Sequence, residues 1–209
     1  MEFPNLDYEN LLNNKYKYIA GLDEAGRGAL AGPVVAVAVI IGSTKIDDLG
    51  INDSKKISET KREIIFDELI NRKINYGIGI INNAIIDEIN ILNATYKAFH
   101  LAIENLRIKP DFLLIDGNRF KENGIEYQCI VKGDSKSLSI ATASILAKVI
   151  RDRIMRNFND SNLINYGFSS HKGYGTRKHF EAIEKFGISY IHRKSFLNKL
   201  NHKQIELFT

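Results

Sequence analysis

Between residues 18 and 41 the chain reads YIAGLDEAGRGALAGPVVAVAVII, two apolar runs separated by a polar turn, with adjacent acids, Asp23 and Glu24, ending the first run. Neighbouring carboxylates resist ionising side by side unless a cation or strong donors offset the charge. This stretch therefore constrains the fold twice. Residues 18–24 and 33–41 read as strands, the second rich in Val and Ile and fenced by Gly32 and Gly42. Something positive is expected at the end of the first.

The other elements follow from periodicity and punctuation. Residues 1–17 are a polar lead-in with one helical turn at 8–12. A polar turn at 52–56 precedes a helix that Ser58 can cap, with Glu59 in its first turn and Ile64, Ile65, Glu68 and Leu69 at helical spacing. Residues 75–81 alternate as a strand. The spacing over 83–107 predicts one broken or two consecutive helices, with Ile85, Ile89, Leu92, Tyr96, Phe99 and Ile103 on one face. After Pro110, residues 112–115 form a continuous apolar run, the mark of a strand buried on both faces, and end in Asp116. Residues 127–131 read as another strand, and a turn holding Asp134 leads into a long helix with Leu138, Ala141, Ile145 and Val149 on one face. Residues 161–176 read as a loop, followed by helices at 177–186 and about 195–207.

Composition sets limits on class. With 209 residues, 44% of them hydrophobic, the chain can bury a core as one domain, with or without a small appendage. No apolar run reaches the roughly 18 residues of a membrane span, and the start, MEFPNLDYEN, lacks a secretory signal. The single Cys129 excludes an internal disulfide and a multi-Cys zinc site. A cytoplasmic protein without membrane contact is the expectation. Residues 1–131 carry 15 Lys and Arg against 19 Asp and Glu, while residues 132–209 carry 14 against 6, giving −4 and +8. A basic third beside an acidic site suits a polyanionic substrate, although ordinary surface solvation gives the same count.

Gly26, Gly28 and Ala31 satisfy a dinucleotide-binding spacing, but that motif needs a helix to start at the glycines, and Pro33 with a run of Val and Ile follows instead. The acids make better sense together. Asp23 and Glu24 end one strand, Asp116 ends the buried strand and Asp134 precedes a helix, so all four can converge at one end of a sheet. Carboxylates without His or Cys suit Mg²⁺ or Mn²⁺, and two such ions can activate a water and stabilise the leaving oxygen of a phosphodiester. Taken singly, Asp134 reads as a helix N-cap, Asp116 as a turn residue and Glu24 as a partner for Arg27.

These motifs, in order, resemble the ribonuclease HII family: GLDEAGRGALAGPV at the front, NDSKK at 52–56, NILNAT at 90–95, LLIDGN at 113–118, KGDSKSLSIATASILAKVIRD at 132–152, GFSSHKGYGT at 167–176 and HRKSF at 192–196. Ala29, Phe99 and Thr142 depart from the usual Pro, Met and Ala. The resemblance implies an α/β ribonuclease H-like fold, a five-stranded mixed sheet flanked by helices, as a single domain over 1–209 with a core at about 18–158 and a C-terminal helical portion at about 159–209. It implies hydrolysis of the RNA strand of RNA/DNA hybrids and nicking on the 5′ side of ribonucleotides embedded in duplex DNA, leaving 3′-hydroxyl and 5′-phosphate ends. Asp23, Glu24, Asp116 and Asp134 would be the metal ligands and catalytic acids for Mn²⁺ or Mg²⁺.

By the same resemblance, Gly26, Arg27 and Gly28 meet the ribose 2′-hydroxyl at an RNA-to-DNA junction, and Tyr174 packs on the sugar of the DNA side. Without the family, the glycines are a tight turn and Tyr174 a loop anchor. Lys55, Lys56 and Lys172 are phosphate contacts or solvated lysines. Asp152 reads as half of a buried pair with an Arg. His192, Arg193, Ser195 and Phe196 receive no role. The last residues, QIELF, resemble the peptide by which bacterial repair proteins dock on the sliding clamp, with Gln204, Leu207 and Phe208 as anchors; the alternative is packing of the final helix. The relative ribonuclease HIII and a hybrid-binding module without catalysis are the competing functions; the first carries an extra N-terminal domain and a different glycine motif, and the second is expected to lose an acid.

Overall fold

The computed structural model describes residues 3–158 and 163–197. Five strands, β1 (Ile19–Ala25), β2 (Val34–Ile40), β3 (Asn75–Ile81), β4 (Phe112–Asp116) and β5 (Glu126–Ile130), form one sheet in the order β3-β2-β1-β4-β5. β1, β2 and β3 pair antiparallel, whereas β4 lies parallel to β1 and β5 parallel to β4. This is the expected five-stranded mixed sheet. Around it lie α1 (Asp7–Leu12), α2 (Glu59–Asn71), α3 (Asn83–Glu104), α4 (Leu138–Asn157), α5 (Phe168–His171), α6 (Arg177–Phe186) and α7 (Lys194–Leu197).

The all-apolar β2 is buried along its whole length because both faces are covered. Val37 and Val39 pack with Ile65 and Leu69 of α2 and Ile145 and Val149 of α4. Val34, Ala36, Ala38 and Ile40 pack with Ile86, Ala98, Phe99 and Ile103 of α3. Each fully buried Val or Ile contributes about 1.5–3 kcal/mol, so this strand anchors both layers. Ser58 caps α2 as expected, its Oγ accepting the Lys61 N–H at 3.3 Å.

The break in α3 falls at Asn90, whose backbone is left-handed (φ 65°) and whose Oδ1 accepts the N–H groups of Leu92 and Asn93 at 3.0 and 3.1 Å. Across the kink Ile85, Ile89, Phe99 and Ile103 still share the face expected, packed into one core cluster, and Leu92 departs from it. Leu92 is 39% exposed, and Ala94, Ala98 and Ala102 turn inward beside Phe99 and Ile103. Small residues are required there. A Cβ on Gly79 of β3 would stand 1.9 Å from the Ala98 carbonyl oxygen.

Residues 163–176 are not the expected plain loop. A 3-10 turn at Ile164–Tyr166 and α5 form because Tyr166 and Phe168, stacked at 5.4 Å, build a small core with Ala31, Met155, Leu163, Ala182 and Ile191. Of the last expected helix only α7 is described, and Gln204, Leu207 and Phe208 lie outside the described residues. Among the described residues no helix is long and apolar enough to cross a membrane.

Candidate active site

Strand alternation places the acids. In β1, Leu22 faces α3 while Gly21 presses against the start of α4, so Asp23 points to the α4 side. In β4, Leu113 and Ile115 face α3, so Asp116 also points to the α4 side. Leu22 pairs with Ile115, and extending that register by one sets Asp23 beside Asp116. Asp134 sits in the 3-10 turn Gly133–Ser135 just before α4, not at the helix N-cap, which is Ser137. That turn is tied to the strand end: Asp116 Oδ1 accepts the Gly133 N–H at 2.7 Å.

The acids are held with few compensating charges. Burial, then the neighbouring Glu24 and Asp116, push the Asp23 carboxyl well above the usual carboxylate range. Glu24 is also raised, by burial first, while Arg27 at 3.2 Å pulls the other way. Asp134 is raised by burial and by Asp116, against the pull of Lys55, whose Nζ lies 3.7 Å away. Asp23 Oδ1 accepts the Glu24 N–H at 2.7 Å. Among the described residues no group of three His, Cys, Asp or Glu side chains is arranged to enclose a metal ion. A hard cation held by one or two carboxylates, waters and a substrate phosphate needs no such cage. The all-oxygen donor set and the clustered, partly uncompensated negative charge fit that mode of binding.

The cleft beside the acids, about 390 Å³, is lined by Asp23, Glu24, Gly26, Arg27, Lys55, Asp116 and Tyr174, among others. Lys55 is brought there on a turn fixed by Arg62, which donates to the carbonyls of Ser54, at 2.7 Å, and Ile57. Gly28 is exposed, with open space where a side chain would stand. Gly26 is left-handed (φ 96°), and a Cβ there would lie 2.0 Å from Arg151 Nε, so only glycine fits. Lys56 lies 4.0 Å from Asp53. Lys172 does not line this cleft: it is 8% exposed, and its ammonium bonds the Ser169 carbonyl at 2.5 Å and lies 3.5 Å from Glu59. Asp152 is buried and paired, but chiefly with Lys148 at 2.7 Å, with Arg62 at 4.0 Å.

Sequence reasoning missed Ser144 and Lys148 of α4, which line the cleft, and the wholly buried Arg151 and Arg193. The i, i+4 spacing of Ser144 and Lys148 was a usable signal. Nothing local marks the arginines, which look like surface residues by type.

An acid cluster at the carboxyl ends of parallel strands, next to a glycine turn and an aromatic ring, defines a class of α/β hydrolytic enzymes acting on a charged polymer. The family model described as Ribonuclease HII matches residues 20–199. A Ribonuclease HII of Clostridioides difficile (strain 630) is 54% identical over 205 residues, 95% of this chain and 79% of that protein. Among solved structures, the ribonuclease H2 of Pyrococcus horikoshii OT3 superposes with a TM-score of 0.69 at 27% identity, covering 91% of this chain and 98% of that one. The RNase HII in a PCNA complex from Archaeoglobus fulgidus gives 0.68 at 26% identity, covering 88% and 95%. The chain belongs to the ribonuclease HII family and is an endoribonuclease.

Proposed function

We propose that this enzyme uses Mn²⁺ or Mg²⁺ to hydrolyse the RNA strand of RNA/DNA hybrids and to nick duplex DNA on the 5′ side of an embedded ribonucleotide, leaving 3′-hydroxyl and 5′-phosphate ends. The observation that carries the reading is the convergence of Asp23 and Asp116 on one face of the sheet end, with Glu24 and Asp134 beside them. In it, Asp23, Glu24, Asp116 and Asp134 are the metal ligands. Bound cations supply an activated water and charge stabilisation at the leaving oxygen. The chain's own groups orient the reaction. Arg27 Nη1 holds Glu24, the Gly133 N–H holds Asp116, and Lys55 offers a mobile positive charge to the incoming phosphate. The open backbone at Gly28 lets a ribose 2′-hydroxyl approach peptide groups, and the Tyr174 face favours a deoxyribose, which has no 2′-hydroxyl to desolvate.

The test is cleavage of a DNA duplex carrying one ribonucleotide, with Mn²⁺ and with chelator, and mapping of the ends. Metal-dependent cutting 5′ of the ribonucleotide is expected; efficient cutting of an all-DNA duplex, or undiminished cutting in chelator, would refute the reading. The C-terminal QIELF is, in the same proposal, a clamp-docking peptide with Gln204, Leu207 and Phe208 as anchors, a reading that gains support from the archaeal relative solved with PCNA. Replacing Leu207 and Phe208 with Ala should abolish binding to the purified clamp and leave clamp-free cleavage intact. Wild-type protein that fails to bind the clamp would end that assignment.

A further inference from the structure

The segment HRKSF has no part in the acid cluster, yet His192 is 1% exposed and Arg193 0%. The two neighbours reach in different directions. Arg193 Nε donates to the Gly32 carbonyl at 3.0 Å and Nη1 to the Arg27 carbonyl at 3.0 Å, while its backbone N–H donates to the Leu30 carbonyl at 2.8 Å. A trans peptide is planar, with its carbonyl and the next N–H opposed. Turning the Arg27 carbonyl inward therefore turns the Gly28 N–H outward, where the backbone is open.

His192 works on the other side. Its Nδ1 accepts the Ser189 N–H at 2.8 Å, so the neutral ring carries its proton on Nε2. That proton goes to His179 Nε2 at 3.0 Å, because His179 Nδ1 donates to the Tyr174 carbonyl at 2.9 Å. The Tyr174 carbonyl also accepts the Thr176 N–H at 2.8 Å, so its direction is set twice. Direct ties cross between the two sides: the Leu30 N–H donates to the Gly173 carbonyl at 2.8 Å, and Arg151 donates to the carbonyls of both Ala31 and Lys172. Arg193 Nη2 is buried and has no hydrogen-bond partner among the described residues. An unpaired buried nitrogen costs stability that an apolar side chain would not; what the guanidinium contributes is geometry.

We propose that the His192–Arg193 dipeptide is a positioning brace that fixes the separation between the Gly26–Gly28 turn and Tyr174, so that a strand changing from ribose to deoxyribose is read in a single register. The brace rests on the junction-reading role given above to those two elements. It assigns the HRKSF segment to substrate selectivity, with no contact to the reacting phosphate.

The experiment compares kcat/KM on a duplex with one embedded ribonucleotide with kcat/KM on a long RNA/DNA hybrid, for His192→Leu, Arg193→Lys and His179→Asn. Each should lower the ratio of the first to the second by about 10-fold, the scale of a sub-ångström misplacement. His192→Gln, which keeps a donor toward His179, should recover most of it. Leu69→Ala, in the distant α2 core, should change both substrates alike at a similar loss of melting temperature. Arg193→Lys and His179→Asn, which stay polar, carry the test if His192→Leu does not fold. Folded variants whose ratio stays within about twofold of wild type, while Tyr174→Ala lowers it, would overturn the brace. An unchanged ratio in Tyr174→Ala would remove the junction reading itself, and the brace with it.

Discussion

The two walls of the cleft both bury charge and handle it in opposite ways. On the sheet side, burial pushes Asp23, Glu24 and Asp134 toward the neutral form and Asp116 adds to it, against Arg27 and Lys55 at Glu24 and Lys55 and Lys56 at Asp134. On the C-terminal side, Arg151 and Arg193 are fully buried with no carboxylate bonded to either among the described residues, and carbonyl dipoles absorb the charge: Pro33, Ala31 and Lys172 for Arg151, Gly32 and Arg27 for Arg193. Burial and the neighbouring Arg151 lower the Arg193 pKa to about 9. One wall is electrostatically incomplete, and the other, among the described residues, is satisfied except at Arg193 Nη2. The incomplete wall is where an external cation would complete the site, and the satisfied wall is where a rigid shape is held.

The largest expected effect lies on the incomplete wall. Asp23→Asn, Glu24→Gln, Asp116→Asn and Asp134→Asn should each lower cleavage by about 10³-fold or more, about 4 kcal/mol in barrier, without lowering the melting temperature of metal-free protein. Relief of like-charge repulsion should keep or raise that stability. Near wild-type turnover in any one variant would remove that acid from the site, and an unfolded variant would make it structural.

A smaller effect separates the walls by pH. On the C-terminal side burial, with His171 adding to it, lowers His179 to about 3 and His192 to about 4. A folded pKa below the unfolded 6.5 means that the unfolded chain takes up protons first. Their stabilisation is complete above about pH 6.5, is lost progressively as pH falls below that, and is gone below the folded values of about 4 and 3. The shift from 6.5 to about 4 corresponds to about 2 kcal/mol lost by pH 5. Asp23 has the opposite sign. Its raised pKa leaves metal-free protein unpenalised below the ordinary carboxylate range and costs stability as pH rises through the raised value. Denaturant unfolding from pH 4 to 8 should therefore show an acid-side loss that His192→Gln flattens and an opposing penalty, accruing as pH rises above the ordinary carboxylate range, that Asp23→Asn removes. An acid-side loss unchanged in His192→Gln would take the histidines out of this account.

The same contrast explains what the sequence could disclose. The strands carrying the acids were legible because alternation and continuous apolar runs are local signals, and residues 75–81 were bounded correctly by them. The convergence of Asp23 and Asp116 followed from strand ends alone. Helical spacing also disclosed Ile85, Ile89, Phe99 and Ile103 as one face of α3, and failed at Leu92, two residues after the left-handed Asn90. The bracing wall was the least legible. Its bonds join Arg151 to Ala31 and Arg193 to Arg27 across more than a hundred residues and end on backbone carbonyls, which have no side-chain identity to read. Lys172 misled for the same reason: nothing in HKGYGT shows that its ammonium is tied to Ser169 and Glu59.

If the acid wall holds a divalent cation for phosphodiester hydrolysis, calorimetric titration of Mn²⁺ into wild type and Asp23→Asn at pH 6 and pH 8 will register it. Burial, with Asp116 adding to it, raises Asp23, Glu24 and Asp134, so cation binding is expected to favour loss of protons from them. Wild-type binding should release more protons at pH 6 than at pH 8, and Asp23→Asn should bind at least about 10-fold more weakly, about 1.4 kcal/mol. Equal affinity in the two proteins, or wild-type cleavage with no Mn²⁺ or Mg²⁺ binding, would show that Asp23 holds no catalytic cation.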